Sequence, residues 1–208
     1  MATIQKGKTI TLRGSAQIVV EFFNYGINSI LFQRGLYPPE DFRMVKKYGL
    51  NLLLTSDDGV QAYLKAILSQ LDKWIVAKKI SRLVMVISSK DTREVLERWS
   101  FDIQLEQSDD RKENFCETKK GKTEKEINSQ IAAVMRQITA SVSFLPMLED
   151  PCTFNILAYT DKDAEVPAEW IDSDARLITK NAEQVKLRSF STSVHKVDAL
   201  VAYRLGDD

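Results

Sequence analysis

A single histidine, His195, and two cysteines, Cys116 and Cys152, bound the nucleophilic chemistry open to this chain. A Cys–His nucleophile could be assembled from Cys152, with His195 as its base and Asp198 as the orienting carboxylate. Two features oppose it. Cys152 falls in an apolar, strand-like run beside Phe154 and Ile156, where a small buried thiol is the common case. His195 sits in a similar run, as a hydrogen-bonded structural residue usually does. With one histidine, a His-rich metal site and any HExxH arrangement are excluded. The stretch "DKDAE" sets Asp161, Asp163 and Glu165 at alternate positions, as a calcium loop begins. However, Val166 stands where that loop needs glycine, and Asp172 where it needs a bidentate glutamate. The eight glycines are nowhere closer than seven residues apart, so no glycine-rich phosphate cradle exists. Lysine pairs at 46–47, 78–79 and 119–120 are dispersed among acids and read as solvated faces. These residue types predict no enzyme, cofactor or metal.

Composition narrows the class further. Lys plus Arg and Asp plus Glu balance at 29 each, which gives no reason to expect a nucleic-acid or membrane-surface partner. A hydrophobic share of 44% over 208 residues suits one globular domain with a substantial core. The opening "MATIQKGKTITLRG" has no apolar h-region or cleavage site, and no run approaches the length of a membrane span. Two cysteines without a leader point to a reducing, intracellular setting, with free thiols.

The elements that must position these residues follow from periodicity. From Ser15 to about Gln33, Ile18, Val19, Phe22, Phe23, Ile27, Ile30 and Leu31 recur at helical spacing. Gly35 and "YPPE" stop that helix. A second helix opens at Ser56 or Asp57, with Val60, Tyr63, Leu64, Ile67, Leu68, Leu71, Trp74 and Ile75 as its stripe. "ISRLVMVIS" reads as a buried strand. "EVLERWSFDIQL" alternates, with Val95, Trp99, Phe101, Ile103 and Leu105 on one face, so the two form a hairpin turning near "SKDTR". Parity puts Glu97 on that apolar face. It is either a strand end or bulge left in water, or a partly buried carboxylate held by an arginine. A solvated charged loop follows, then a third helix opened by the capping box Thr123 and Glu126. Its stripe runs from Ile127 to Val142 and Leu145, and Pro146 ends it. "CTFNILAYT" is another strand. Val197, Ala199, Val201 and Tyr203 share one face of a last strand with His195. The order helix, helix, hairpin, helix, strand, irregular stretch, strand predicts an α+β domain, helices packed on a mainly antiparallel sheet.

The tail poses the remaining question. A strand-like terminal run lies beyond the loose stretch "DKDAEVPAEWIDSDARLITKNAEQVKL". This is either a long surface loop returning to the sheet or a strap that closes over a foreign strand. Edge pairing with a peptide makes about half a dozen backbone bonds of ~0.5–1.5 kcal/mol each. Association costs at least ~4 kcal/mol. Pairing alone is therefore weak, and a strap would add contacts and hinder escape.

Several blocks favour the strap: "ITLRGSAQIVVEFFNYGINSILFQRGLYP", "EVLERWSFDI", "RQITASVSFLP", "AYTDKD", "VPAEW" and "VKLRSFSTSVHKVDALVAYR". From about Thr9 to Tyr203 the chain closely resembles the mitotic-arrest-deficient-two family of spindle assembly checkpoint proteins, the founding type of HORMA domain. The loop around Gln107–Thr123 does not match. The resemblance implies one HORMA domain over 1–208, with a core of about 12–160, a mobile N-terminal strand over 1–12, and a mobile C-terminal safety belt from about 161 to 208. It implies a conformational adaptor, not an enzyme, that switches between open and closed states and traps a peptide. The peptide would come from a coiled-coil kinetochore checkpoint protein or from the activator of the anaphase-promoting ubiquitin ligase, delaying anaphase. Further implied partners are a checkpoint kinase-like subunit of the mitotic complex, an AAA+ remodelling ATPase with its HORMA adaptor, and a second copy in an open–closed dimer. The implied locations are nucleus, kinetochore and cytoplasm.

The resemblance also assigns residues. The peptide would pair with the strand Cys152–Tyr159, touching Cys152, Phe154, Ile156, Ala158 and Tyr159, with Trp74 and Trp170 beside it. On the terminal strands, Phe190, His195, Val197 and Tyr203 are implied as further contacts. Arg136, Gln137 and Phe144 correspond to the dimer surface. Arg34 would pair with Glu97, and together with Leu12 they would govern the switch: in the closed form the strand Thr9–Leu12 gives up its edge to the belt. The competing readings are another HORMA adaptor, serving a translesion polymerase or the meiotic axis, and a Cys152–His195 hydrolase.

Overall fold

A computed structural model describes residues 10–106 and 121–206. Cys116, the lysines at 119–120 and Thr9 lie outside the described residues. Helix α1 spans Leu12–Gln33, three residues earlier than periodicity suggested, because Thr11 caps it by accepting from Gly14 N at 3.0 Å. Gly35, at φ 64°, turns the chain out of the helix. Asp57 caps α2 (Asp58–Val76), its carboxylate accepting from Val60 N at 2.7 Å. The capping box of Thr123 and Glu126 opens α3 (Glu124–Ala140).

The sheet has the order β5-β3-β4-β7-β6, all neighbours antiparallel. Its strands are β3 (Ile80–Ser89), β4 (Val95–Leu105), β5 (Cys152–Thr160), β6 (Ala182–Ser191) and β7 (His195–Arg204). The three helices supply one face of the core, where Val19, Phe22, Phe23, Leu71, Trp99, Phe101, Ile131 and Val201 are buried together. Phe22 lies at the centre, its ring 5.9 Å from Phe101 and 4.8 Å from Phe190.

Three elements depart from the sequence reading. A separate hairpin, β1 (Phe42–Lys47) and β2 (Leu50–Thr55), was not foreseen. It turns at Tyr48 and Gly49, both at positive φ, the geometry a two-residue hairpin loop requires. Tyr-Gly is a weaker signal than Asn-Gly, and exposed Met44 blurs the alternation. The hairpin is fastened to α1 by Thr55 N donating to Asn28 Oδ1 at 2.8 Å and Tyr48 O–H to Glu21 at 3.0 Å. Second, α3 stops at Ala140 and a 3-10 turn, Ser141–Ser143, follows, so Val142 faces solvent rather than the core. Ser141 O–H donates to the Ile138 carbonyl at 2.6 Å, which tightens the helix end. Third, β6 begins inside the stretch expected to be irregular. A bulge between Lys186 and Ser189 shifts its register and erases the period-two signal.

Candidate peptide-binding edge and its strap

β5 ends the sheet, and among the described residues no strand lies along its outer edge. Such an edge carries the backbone donors and acceptors that another strand can take. On the helix side of β5, Cys152, Phe154, Ile156 and Ala158 pack against the core. The Phe154 ring is flanked by Tyr37 at 6.4 Å and Tyr63 at 5.6 Å. Tyr63 was read as part of the buried stripe of α2, but it is 41% exposed at the rim of this edge. Burial still pushes its phenol pKa up, while the backbone of Ile156 pulls it down. Only its polar hydroxyl could have hinted at a rim position.

After β5 the chain turns sharply, with Asp161 N donating to the Lys79 carbonyl at 2.9 Å. The Lys79 ammonium sits 3.7 Å from Asp161 and 2.6 Å from Asp163. The carboxylates that resembled a calcium loop thus face a lysine, whose hydrogen bond holds the Asp163 carboxyl below its usual range. Trp74 then fastens the chain: its indole N–H donates to the Glu165 carbonyl at 2.9 Å, and its ring meets that of Trp170 at 4.9 Å. Farther on, Arg98 Nε donates to the Ala175 carbonyl at 3.2 Å. Arg98 belongs to the strand face opposite Trp99 and Phe101, so the segment crosses the face of the sheet away from the helices. It joins β6 at the far border, where Leu205 N donates to the Asn181 carbonyl. The C-terminal segment therefore starts at the β5 edge, passes across the sheet and ends as the hairpin β6–β7 on β4.

Trp74, Cys152, Phe154, Ile156, Ala158, Tyr159 and Trp170 are brought together around one edge. Phe190, His195, Val197 and Tyr203 are not. They lie on β6 and β7, beyond β3 and β4, and are buried under the helices. Two strands, β3 and β4, separate them from β5. These four residues hold the hairpin in the core. Ser15 on α1, Thr192 and His195 form a buried polar knot, with Ser15 Oγ 2.5 Å from Thr192 Oγ1 and 2.6 Å from His195 Nδ1. The same topology separates Cys152 from His195, by two strands and by the length of the sheet: Cys152 pairs with Ser89 and His195 with Leu105. Burial, then the Glu97 and Asp150 charges, push the Cys152 thiol pKa up. Asp198 pairs with Lys196 at 3.0 Å. The nucleophile, base and orienter never meet.

Arg34 and Glu97 do meet, fully buried, with Nε donating to Oε1 at 2.7 Å. Trp99 donates to the other carboxylate oxygen at 3.0 Å, and Arg34 also binds the Pro146 carbonyl at 2.5 Å. Burial pushes the Glu97 pKa up against the pull of Arg34 and Trp99. Leu12 opens α1, and residues 10–11 form no strand. Arg136 is exposed on α3, whereas Gln137 Oε1 accepts from Arg188 N of β6 at 2.5 Å. Phe144 is 41% exposed, its ring 6.3 Å from that of Tyr203.

A five-stranded antiparallel sheet backed by three helices, with its own C-terminal segment drawn across the open face, defines the class of domain. The sequence pattern of the HORMA domain matches residues 15–195. The mitotic spindle checkpoint component mad2 of Schizosaccharomyces pombe is 52% identical over 207 residues, covering 99% of both chains. The spindle assembly checkpoint protein MAD2A of Dictyostelium discoideum is 51% identical, covering 100% of this chain and 99% of its own. A chain in a crystal structure of the mitotic checkpoint complex superposes with a TM-score of 0.83 at 52% identity, covering 92% of this chain and 99% of that one. The chain belongs to the HORMA-domain family, and within it to the MAD2 family of spindle assembly checkpoint proteins. It is a conformational adaptor that binds partner peptides, not an enzyme.

Proposed function

We propose that the peptide is captured along the outer edge of β5, under the crossing segment, and that the arrangement described here is the closed, capture-competent state. The observation that carries this is the pairing of β7 along β4, from Glu97–Tyr203 to Leu105–His195, which sets the hairpin at the opposite border, where α3 side chains occupy β6 donors, and leaves the β5 edge open to a strand. Leu12 in α1 rather than in a strand fits the same state. The peptide donors are a coiled-coil checkpoint protein at kinetochores and the activator of the anaphase-promoting ubiquitin ligase; holding the latter delays anaphase. A checkpoint kinase-like subunit, a remodelling ATPase with its adaptor, and a second copy meeting Arg136, Gln137 and Phe144 complete the set. The protein works in the nucleus and at kinetochores, with a cytoplasmic pool.

Mixing the full chain with a short peptide from the ligase activator tests the reading. The complex is expected to survive gel filtration, and a chain truncated before Phe190 is expected to retain no peptide. Tight retention by the truncated chain would sink the strap.

A further inference from the structure

Arg98 is a cation in an odd place. It is 8% exposed, on the sheet face without helices, and the oxygens it donates to are neutral. Nε reaches the Ala175 carbonyl of the crossing segment, Nη1 the Ser100 hydroxyl at 2.8 Å, and Nη2 the Tyr159 hydroxyl at 2.8 Å. The Tyr159 ring lies beneath both Arg98, at 6.0 Å, and Arg82, at 5.7 Å. Arg82 is held in turn by Asp102. Burying a guanidinium is costly unless its donors are satisfied. Here Ser100 and Tyr159 aim the planar fork, and Nε is left pointing at the backbone that crosses above it. Lysine, with one flexible ammonium, cannot hold three such directions at once.

Resting on the reading of β5 as the guest edge, we propose that Arg98 is the positioning residue that fastens the strap over a captured peptide and sets how long the peptide stays. The strap is tied first at Glu165 and Trp170, by Trp74, and next at Ala175, by Arg98. A guest beside β5 leaves sideways only when the span between those ties lifts. Without the Arg98 bond, the next backbone tie is the Asn181 carbonyl, held by Leu205 N. The loose span then extends from Trp170 to Asn181, and excursions wide enough to release the guest become more frequent. Entry also needs the strap lifted, so weakening the clasp eases arrival as well as departure, and departure is the rate that reports on a guest already enclosed. Tyr159 belongs to β5 itself, so the clasp and the guest edge share a residue.

The test uses the full chain loaded with a fluorescein-labelled peptide from the ligase activator and chased with excess unlabelled peptide. Loss of a charge-assisted bond predicts about tenfold faster release from Arg98→Lys and a smaller acceleration from Tyr159→Phe, which keeps the buried charge. Association should not slow, and hydrogen-exchange protection of β6 and β7 should be unchanged. An unaltered release rate in Arg98→Lys overturns the proposal. So does faster release matched by lost protection in β6 and β7, since Arg98 would then merely support the sheet. A wild-type chain that holds no peptide overturns the edge reading and this inference together; a wild type that holds it, beside an Arg98→Lys chain releasing equally slowly, overturns the inference alone.

Discussion

The C-terminal segment has two halves that obey different physics. The crossing half, 161–181, has no regular secondary structure, and apart from Trp170, which packs on Trp74, its most exposed apolar side chains face water, with Ile171 86% and Leu177 61% exposed. The hairpin half buries every second residue of β7 from His195 to Tyr203 and pairs along β4 from Glu97 to Leu105. Lifting the crossing half breaks a few isolated ties. Moving the hairpin opens the hydrophobic core and breaks a whole ladder of backbone bonds. Guest exchange and conformational switching should therefore have separate barriers, the second much higher, although one continuous segment carries both.

The largest test of that contrast is Phe190→Ala. Phe190 is fully buried against Phe22, and truncation of a buried aromatic costs about 3–5 kcal/mol. That is a large share of a domain's usual ~5–15 kcal/mol. A urea titration should show a strongly lowered midpoint, and peptide retention should fail because the hairpin no longer anchors the strap. A variant that kept both would show that the hairpin is not part of the core in any energetic sense.

Acid probes the same half more gently. An imidazole in water titrates near pH 6.5. Burial, then the charge of Lys78, hold His195 below that, with Ser15 Oγ against Nδ1 and Thr192 closing the knot. The docked hairpin thus takes up a proton less readily than a released one. Docking is at full strength above about pH 6.5 and weakens as pH falls from there toward the depressed value. The ratio of docked to released hairpin signals in NMR spectra, compared at about pH 7.5 and about pH 5.5, should drop for the wild type and stay level for His195→Gln. An equal drop in both would place the sensitive group elsewhere.

Much of this was legible from residue order because α1, α2, α3, the β3–β4 hairpin and β7 each follow one clean period. Glu97 was legible as an anomaly, a charge of the wrong parity, and the resemblance named Arg34 as its partner. What escaped detection had no period to follow. β6 is broken by its bulge, β1 hides behind exposed Met44, and Arg98 sits at a polar position of β4 where solvent is the ordinary expectation. Its burial depends on a chain segment more than seventy residues away. Likewise, alternation on β7 located the buried faces of His195, Val197 and Tyr203 but not which border of the sheet they would occupy. Topology, which periodicity does not encode, separates them from β5.

The gentlest probe concerns how α3 holds the hairpin. Gln130 and Gln137, two turns apart on one helix face, accept from Ser191 N at 2.9 Å and Arg188 N at 2.5 Å, occupying backbone donors on the edge strand β6. Gln137 therefore contributes to docking in this state, beside any part it has in self-association. Each alanine substitution should cost about 0.5–1.5 kcal/mol, with the freed β6 donors still able to find water. Hydrogen exchange should speed up at Ser191 in Gln130→Ala and at Arg188 in Gln137→Ala, with no change in the crossing half. If Gln137→Ala weakens self-association while exchange at Arg188 stays slow, its contact with β6 carries no docking energy. If exchange rises instead across 161–181 as well, the two halves move as one body and the separation of barriers is wrong.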